Sequence, residues 1–173
     1  MSLSIGRRSP ITFNAGVVRF RSEVYNINYA FDLASISGGA NPGRLELNAE
    51  ATHTSLLTTS VTGSSFTRTD NTVDQPDWSG RFTATYINGG FRASYQLAYL
   101  DSVLWQPDAT IESTPVPVLK RNIRHNLSMQ YDMGQFLIRA GVNNLTNVEP
   151  SYPSLTYGDI IGRELYIGVR VKI

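Results

Sequence analysis

Cysteine is absent from the 173 residues, which excludes disulfides and thiolate-held metals and suits a protein of the cell envelope. Lysine is nearly absent: Lys120 and Lys172 are the two lysines, and the other basic residues are arginine. Charged residues make up 17% of the chain, against roughly 25% in ordinary soluble domains. A soluble β-protein guards its surface and edges with lysine and glutamate, and this chain lacks that guard. A net charge of +1 supplies no field for a polyanion, so nucleic acid is not an expected partner. No run approaches the ~20 apolar residues of a membrane helix. Residues 1–10 carry Arg7 and Arg8 but no apolar stretch after them, so they are not a signal peptide. An exported protein opening this way would have its natural start elsewhere.

What the sequence has in abundance is alternation with period two, the mark of strands with two unlike faces. Seven runs carry it. Their apolar rows are Tyr25, Ile27, Tyr29, Phe31 and Leu33; Leu45, Leu47, Ala49, Ala51 and His53; Trp78, Gly80, Phe82, Ala84 and Tyr86; Phe91, Ala93, Tyr95, Leu97 and Tyr99; Ile123, His125, Leu127, Met129 and Tyr131; Phe136, Ile138, Ala140 and Val142; and Leu165, Ile167, Val169, Val171 and Ile173. Each run predicts a strand of roughly nine or ten residues, enough to cross a bilayer at a tilt of ~45°. The first begins near Val17 with its phase reversed, Val18 and Phe20 being even and Arg19, Arg21 and Glu23 odd. A bulge near Ser22, or a strand continuing beyond the lipid, accounts for the switch.

The connections alternate in length. Residues 55–77, 101–122 and 143–163 are long, 34–43 is intermediate, and Asn88-Gly89-Gly90 and Met133-Gly134-Gln135 are tight, the Asn-Gly pair predicting a primed turn. Short turns at one end and long loops at the other are the rhythm of an up-and-down membrane barrel. The aromatics fall accordingly. Phe31, Tyr86, Phe91, Tyr131 and Phe136 lie beside short turns; Tyr25, Trp78 and Tyr99 lie beside long loops, with His53 and His125. Ala49, Ala51, Ala84, Ala93 and aliphatic residues fill the middle. These are two aromatic girdles around an apolar band free of Asp, Glu, Lys and Arg. Seven antiparallel strands cannot close up-and-down, since the first and last run the same way. The expected fold is therefore all-β: an open or partial antiparallel transmembrane barrel segment spanning residues 1–173, with two strand edges left for a partner.

Chemistry-bearing patterns are few. His53 and His125 lack the ligand spacing of a metal site and read as interfacial residues. No G-x-S-x-G elbow or Ser/His/Asp grouping appears, so neither catalysis nor a cofactor is expected. The polar row carries Glu46, Glu50, Arg81, Arg92, Arg124, Arg139, Arg170 and Lys172, expected as ion-pair ladders along a lumen wall and as contacts to a plug. Ligand contacts would fall on the long loops, where Trp105 and Pro115-Val116-Pro117 stand, without naming a binding residue.

The last third resembles the C-terminal signature of TonB-dependent receptors. Gly141-Val142-Asn143-Asn144-Leu145-Thr146-Asn147 is similar to the segment leaving that family's penultimate strand. Tyr157, Asp159, Gly162, Arg163, Tyr166, Gly168 and Arg170 are similar to the segment entering its last one. Phe31-Asp32-Leu33, Gly43-Arg44-Leu45 and Pro76-Asp77-Trp78 also look like the family. The resemblance implies a plugged barrel of ~22 strands, of which this chain supplies the last third. It also implies the outer membrane of a Gram-negative bacterium and a barrel-insertion signal at Ile167, Val169, Val171 and Ile173. Ile173 stands where the family ends in an aromatic, and Glu164 where an aromatic often follows Gly-Arg. Implied partners are the lipid bilayer, the plug and remaining strands of a parent chain, and a TonB-type energy transducer engaged through the missing N-terminal part. By analogy the cargo is a ferric siderophore, cobalamin or oligosaccharide. A porin-like passive barrel and a soluble barrel binding an apolar ligand stand as the alternative classes.

Overall fold

The structure, a computed structural model, describes residues 16–37, 42–151 and 160–172. The readings of residues 1–10, of Tyr157 and Asp159, and of Ile173 lie outside the described residues.

Ten strands follow in chain order: β1 (Val17–Asp32), β2 (Arg44–Ser60), β3 (Thr67–Arg68), β4 (Trp78–Asn88), β5 (Phe91–Leu100), β6 (Val103–Leu104), β7 (Val118–Leu119), β8 (Asn122–Asp132), β9 (Phe136–Asn143) and β10 (Glu164–Val171). A single helical turn, α1 (Ala34–Ser37), sits in the connection after β1. The seven long strands pair with their sequence neighbours, all antiparallel, in the order β1-β2-β4-β5-β8-β9-β10. β3 continues the position of β4 along the upper part of β2. The sheet does not close: β1 and β10 are its two edges.

Register carries one apolar face across the whole sheet. Ala49, Phe82, Leu97 and His125 stand opposite one another on successive strands, and Tyr95, Leu127, Val142 and Leu165 form the next row. Because partners share a face and side chains alternate, Phe82, Leu97, Leu127 and Val169 lie on one side and Arg81, Arg92, Arg139 and Arg170 on the other. The register shifts between Arg21 and Ser22, with Ser55 of β2 as the extra residue. β1 itself alternates without a break, so Arg19, Arg21 and Glu23 fall on the apolar side. Of the two expected causes, the strand that runs on accounts for the switch: the register does shift beside Ser22, but the extra residue lies in β2 and leaves the alternation of β1 intact.

Three details correct the sequence reading. β2 has 17 residues, well beyond the expected nine or ten, because it continues beside the upper part of β1, whose start at Val17 is where the sequence placed it. The long loops hold paired backbone of their own: the β6–β7 hairpin and the β3 extension. The tight turn after β4 is Gly89-Gly90, not Asn88-Gly89. Asn88 stays in the ladder opposite Phe91, and the positive φ, +56°, belongs to Gly89. Positive φ at the first central residue is the pattern of the II′ turn, which Gly adopts without a Cβ clash.

Neither face of the sheet encloses a core. The buried apolar residues among those described are Val103, Leu119 and Val142, and the first two pack with Val73 and Leu100 beyond the strand ends, under the long loops. At the edges Ile27 is 66% exposed, Leu165 77% and Ile167 79%.

Candidate functional site: the apolar face, the polar face and the loop cap

On the apolar face aromatic rings gather at both ends of the strands. At the long-loop end Trp78 stacks on His53 with ring centroids 4.3 Å apart and 16° between planes, and Tyr25 stacks on Trp78 at 6.3 Å. The Tyr25 hydroxyl donates to the Glu23 carboxylate at 2.7 Å, and His53 Nδ1 lies 3.6 Å from the same carboxylate. Tyr99 is opposite Gly80 and Ile123 and donates to Asp101 at 3.0 Å. At the short-turn end Phe31, Leu45 and Tyr86 lie in one register row and Phe91 and Tyr131 in another. Tyr86 contacts Phe91 at 6.2 Å and donates its hydroxyl to the Pro42 carbonyl at 2.7 Å, tying the ring to the turn. Phe136 lies two residues further towards the turn than Ile138, the partner of Tyr131, and stands opposite Val171. Rings with an apolar body and a polar tip suit a boundary where one end is wet. From Trp78 to Tyr86 is eight residues, ~26 Å along the strand and ~19 Å along the normal at ~45° tilt, which fits within an apolar band about 25 Å tall. His125 lies one step inside the rim, its Nδ1 2.6 Å from the Tyr95 hydroxyl.

The polar face is organised only partly as ion pairs. Arg44 reaches Glu46 at 3.3 Å, and Lys172 reaches over β9 to Asp132 at 2.8 Å. Glu50 stands opposite Arg81, and both line a shallow groove of about 280 Å³ with Arg124. Of the expected row, the acids Glu46 and Glu50 both belong to β2, so the arginines of β5 and β9 stand opposite other residues. Arg92 instead faces Ile87 and Gln130, and Arg139 faces Gln130 and Gly168. Uncharged pairs complete the row, with Thr85 and Ser94 at 3.1 Å and Asn126 donating to Gln96 at 3.0 Å.

The motif residues near the C-terminus are braces. Asn144 is fully buried with φ +52°. Its side-chain amide donates to the Val148 carbonyl and its side-chain oxygen accepts from the Val148 N–H, both at 2.8 Å, closing a turn; its own N–H donates to Asn126. The Leu145 N–H donates to the His125 carbonyl at 2.7 Å. Asn143 donates to Glu164, and the Arg163 N–H donates to the Asn147 side chain at 2.9 Å, so both ends of the last loop are fastened across the β9–β10 pair. Gly162 has φ +76° beside that contact. Tyr166 lies flat over Gly141: a Cβ there would sit 2.5 Å from the Tyr166 hydroxyl and 2.6 Å from the Leu127 carbonyl. Gly168 gives Arg139 the same room, a Cβ meeting its Nε at 3.0 Å. Arg170 lies on the polar face opposite Leu137. Ile167, Val169 and Val171 form the apolar row of the β10 edge.

Above the girdle the two longest loops lock together. The Leu104 N–H donates to the Asn71 carbonyl at 2.9 Å across the two loops, and within the second loop the Trp105 N–H donates to the Pro117 carbonyl at 2.8 Å. Asp70 is buried and accepts from Arg68 Nε at 2.8 Å and from the Leu57 N–H at 3.1 Å. These donors, Arg68 first, hold its carboxyl below the usual Asp range. Asp77 is pushed the other way, chiefly by burial and then by the nearby Asp70 charge. Trp105, Gln106, Thr69 and Asp74 line a recess of about 340 Å³ between the loops, a feature with no signal in sequence beyond the tryptophan itself. Among the described residues no three His, Asp or Glu side chains gather as a metal-binding group.

Comparison with known proteins adds no relative: no family model, no curated protein and no solved structure matches the chain.

Proposed function

We propose that this chain is the C-terminal part of the wall of an outer-membrane receptor of the TonB-dependent kind, serving active uptake of a scarce, bulky solute. One observation carries the membrane half of this reading. An ordered antiparallel sheet has an uncharged apolar band between two aromatic rims, no core on either face, and two unpaired edges. In water such a sheet is an aggregation template. In a bilayer the band faces lipid, and the edges demand further strands, because each unsatisfied backbone group costs several kcal/mol there. The receptor half is supported by the motif residues Asn143, Asn144, Gly162, Arg163, Tyr166 and Gly168 and by the arginine-rich polar wall, which suits contact with a plug. The solute, by resemblance a ferric siderophore, cobalamin or oligosaccharide, belongs to the same proposal. A porin-like barrel is the second reading, favoured by the same polar wall lining water.

The test is the genomic reading frame that holds residues 17–172. A receptor frame contains upstream strands bringing the total to an even number, with a plug-sized domain before them. Upstream strands without a plug favour the porin. A frame with neither overturns both.

A further inference from the structure

Above the rim β1 has a neighbour on one side alone. The strand begins at Val17, eight residues before Tyr25, hence ~19 Å above the rim at ~3.3 Å per residue and ~45° tilt. The polar layer of a leaflet is ~5–8 Å thick, so this part of β1 stands in water. At that height β2 is paired on both sides. Arg19 and Val18 face Thr58 and Thr59 from one side, Arg68 and Thr67 of β3 face them from the other, and the Thr69 N–H donates to the Leu57 carbonyl. The far edge of β1 keeps a row of unpaired backbone groups. Both side-chain rows along that edge lack a complement. On the lumen side Val18 is 65% exposed and Phe20 59%, with Leu57 of β2 opposite Phe20. On the outer side Arg21 and Arg19 stand opposite the uncharged Leu56 and Thr58. Arg19 leans over Phe66, 4.0 Å from the ring centre, a contact that leaves its charge in place. Glu23 is engaged by Tyr25 and His53, and Arg68 by Asp70.

We propose that residues 17–22 pair, edge to edge and above the membrane, with the ascending strand of the parent wall that adjoins β1. That strand alternates Asp or Glu, opposite Arg21 and Arg19, with β-branched or aromatic residues, opposite Phe20 and Val18. This rests on the membrane reading above and adds to it a height and a sequence pattern. Below Tyr25 hydrocarbon compels the edge to pair. Above it water solvates the edge, and the side chains across the pair decide whether the two strands stay joined. Opposite charges and aromatic or β-branched pairs directly across favour pairing, and like charges oppose it. Two arginines in the outer row therefore repel a basic strand and admit an acidic one.

The experiment uses the whole chain folded in detergent micelles, with short blocked peptides as probes of the adjoining strand. In one peptide glutamate alternates with valine and tyrosine, in a second lysine takes the place of glutamate, and in a third the acidic and apolar residues of the first are sorted into separate blocks. Anisotropy of a labelled peptide reads affinity, and amide exchange along residues 17–22 reads where it pairs. The alternating glutamate peptide is expected to bind roughly tenfold tighter than either of the others and to slow exchange in that segment. R19E/R21E is expected to turn the preference to the lysine peptide, whereas R92E/R139E, on the opposite face, leaves it as it is. No binding of the glutamate peptide, equal affinity for the glutamate and lysine peptides, or a preference unmoved by R19E/R21E overturns the proposal. In the reading frame that holds residues 17–172, neutral or basic residues opposite Arg19 and Arg21 on the adjoining strand also overturn it and leave the receptor reading standing. A chain that forms no strand in micelles or vesicles overturns the membrane reading beneath it, which separates the two.

Discussion

An arginine placed at Leu127 measures which medium the apolar face meets. Leu127 stands on the interior strand β8, four residues from Ile123 at the upper rim and four from Tyr131 at the lower. It is therefore ~13 Å along the strand from either boundary, or ~9 Å along the normal at ~45° tilt. Tyr95 and Val142 flank it on the same face. At that depth an arginine facing lipid costs ~2–4 kcal/mol. Ser128, the next residue, pairs with Ser94 and Gly141 on the polar face, where an arginine costs ~0–1 kcal/mol. Leu127→Arg should therefore lie ~2–3 kcal/mol below Ser128→Arg, roughly a hundredfold in the folded-to-unfolded ratio. The assay is urea unfolding of the chain in thin phosphatidylcholine vesicles, followed by tryptophan emission and far-ultraviolet dichroism. Equal midpoints for the two variants would refute the assignment of faces. A Leu127→Arg chain that becomes a monodisperse, cooperatively melting monomer in plain buffer would refute the membrane itself.

Other expectations are open to direct measurement. The two tryptophans report separate depths: in vesicles Trp78 emission should be quenched by lipids brominated near the headgroup and Trp105 emission should not, read with Trp105→Phe and Trp78→Phe variants; equal quenching contradicts the rim. Asn144→Ala removes both side-chain bonds to Val148 and leaves alanine at φ +52°, a loss of ~3 kcal/mol; Asn144→Gly should recover about 1 kcal/mol of that, and the Val148 amide should exchange fast in both. Gly141→Ala should displace Tyr166 and loosen the β9–β10 pair, seen as faster exchange at Ile167; Tyr166→Ala in the same chain should relieve the side-chain clash, although the Leu127 carbonyl contact remains. Asp70 has a lowered folded-state pKa, so its stabilisation of the loop cap is present above the ordinary Asp range and lost as pH falls through the lower folded value. Protection of the Leu57 amide should thus persist below the usual Asp range and vanish in Asp70→Ala at all pH values. Asp77, raised by burial, opposes this by destabilising the cap when ionised, and Asp77→Asn should protect the loops at neutral pH.

Much of the architecture is legible in sequence because a strand's two faces differ by a single residue step. Tyr95 beside Gln96, or Ile138 beside Arg139, states which side each takes, and no tertiary contact is needed to read it. Turn length likewise places Trp78 at the long-loop end of its strand and Tyr86 and Phe91 at the short-turn end. The odd strand count already required β1 and β10 to be edges. Other properties depend on distance through space. The stacking of Tyr25, Trp78 and His53 joins three strands, and Tyr166 over Gly141 joins two, through register that no local pattern states. Asn144 reads as a turn residue in sequence; only the fold buries it and hands both ends of its side chain to Val148. The arginines at 19 and 21 looked like a break in phase, and became an outward patch once register set Arg19, Thr58 and Arg68 side by side. Alternation is a backbone property and survives in one dimension, whereas burial, stacking and charge proximity are sums over neighbours that only the assembled sheet brings within reach.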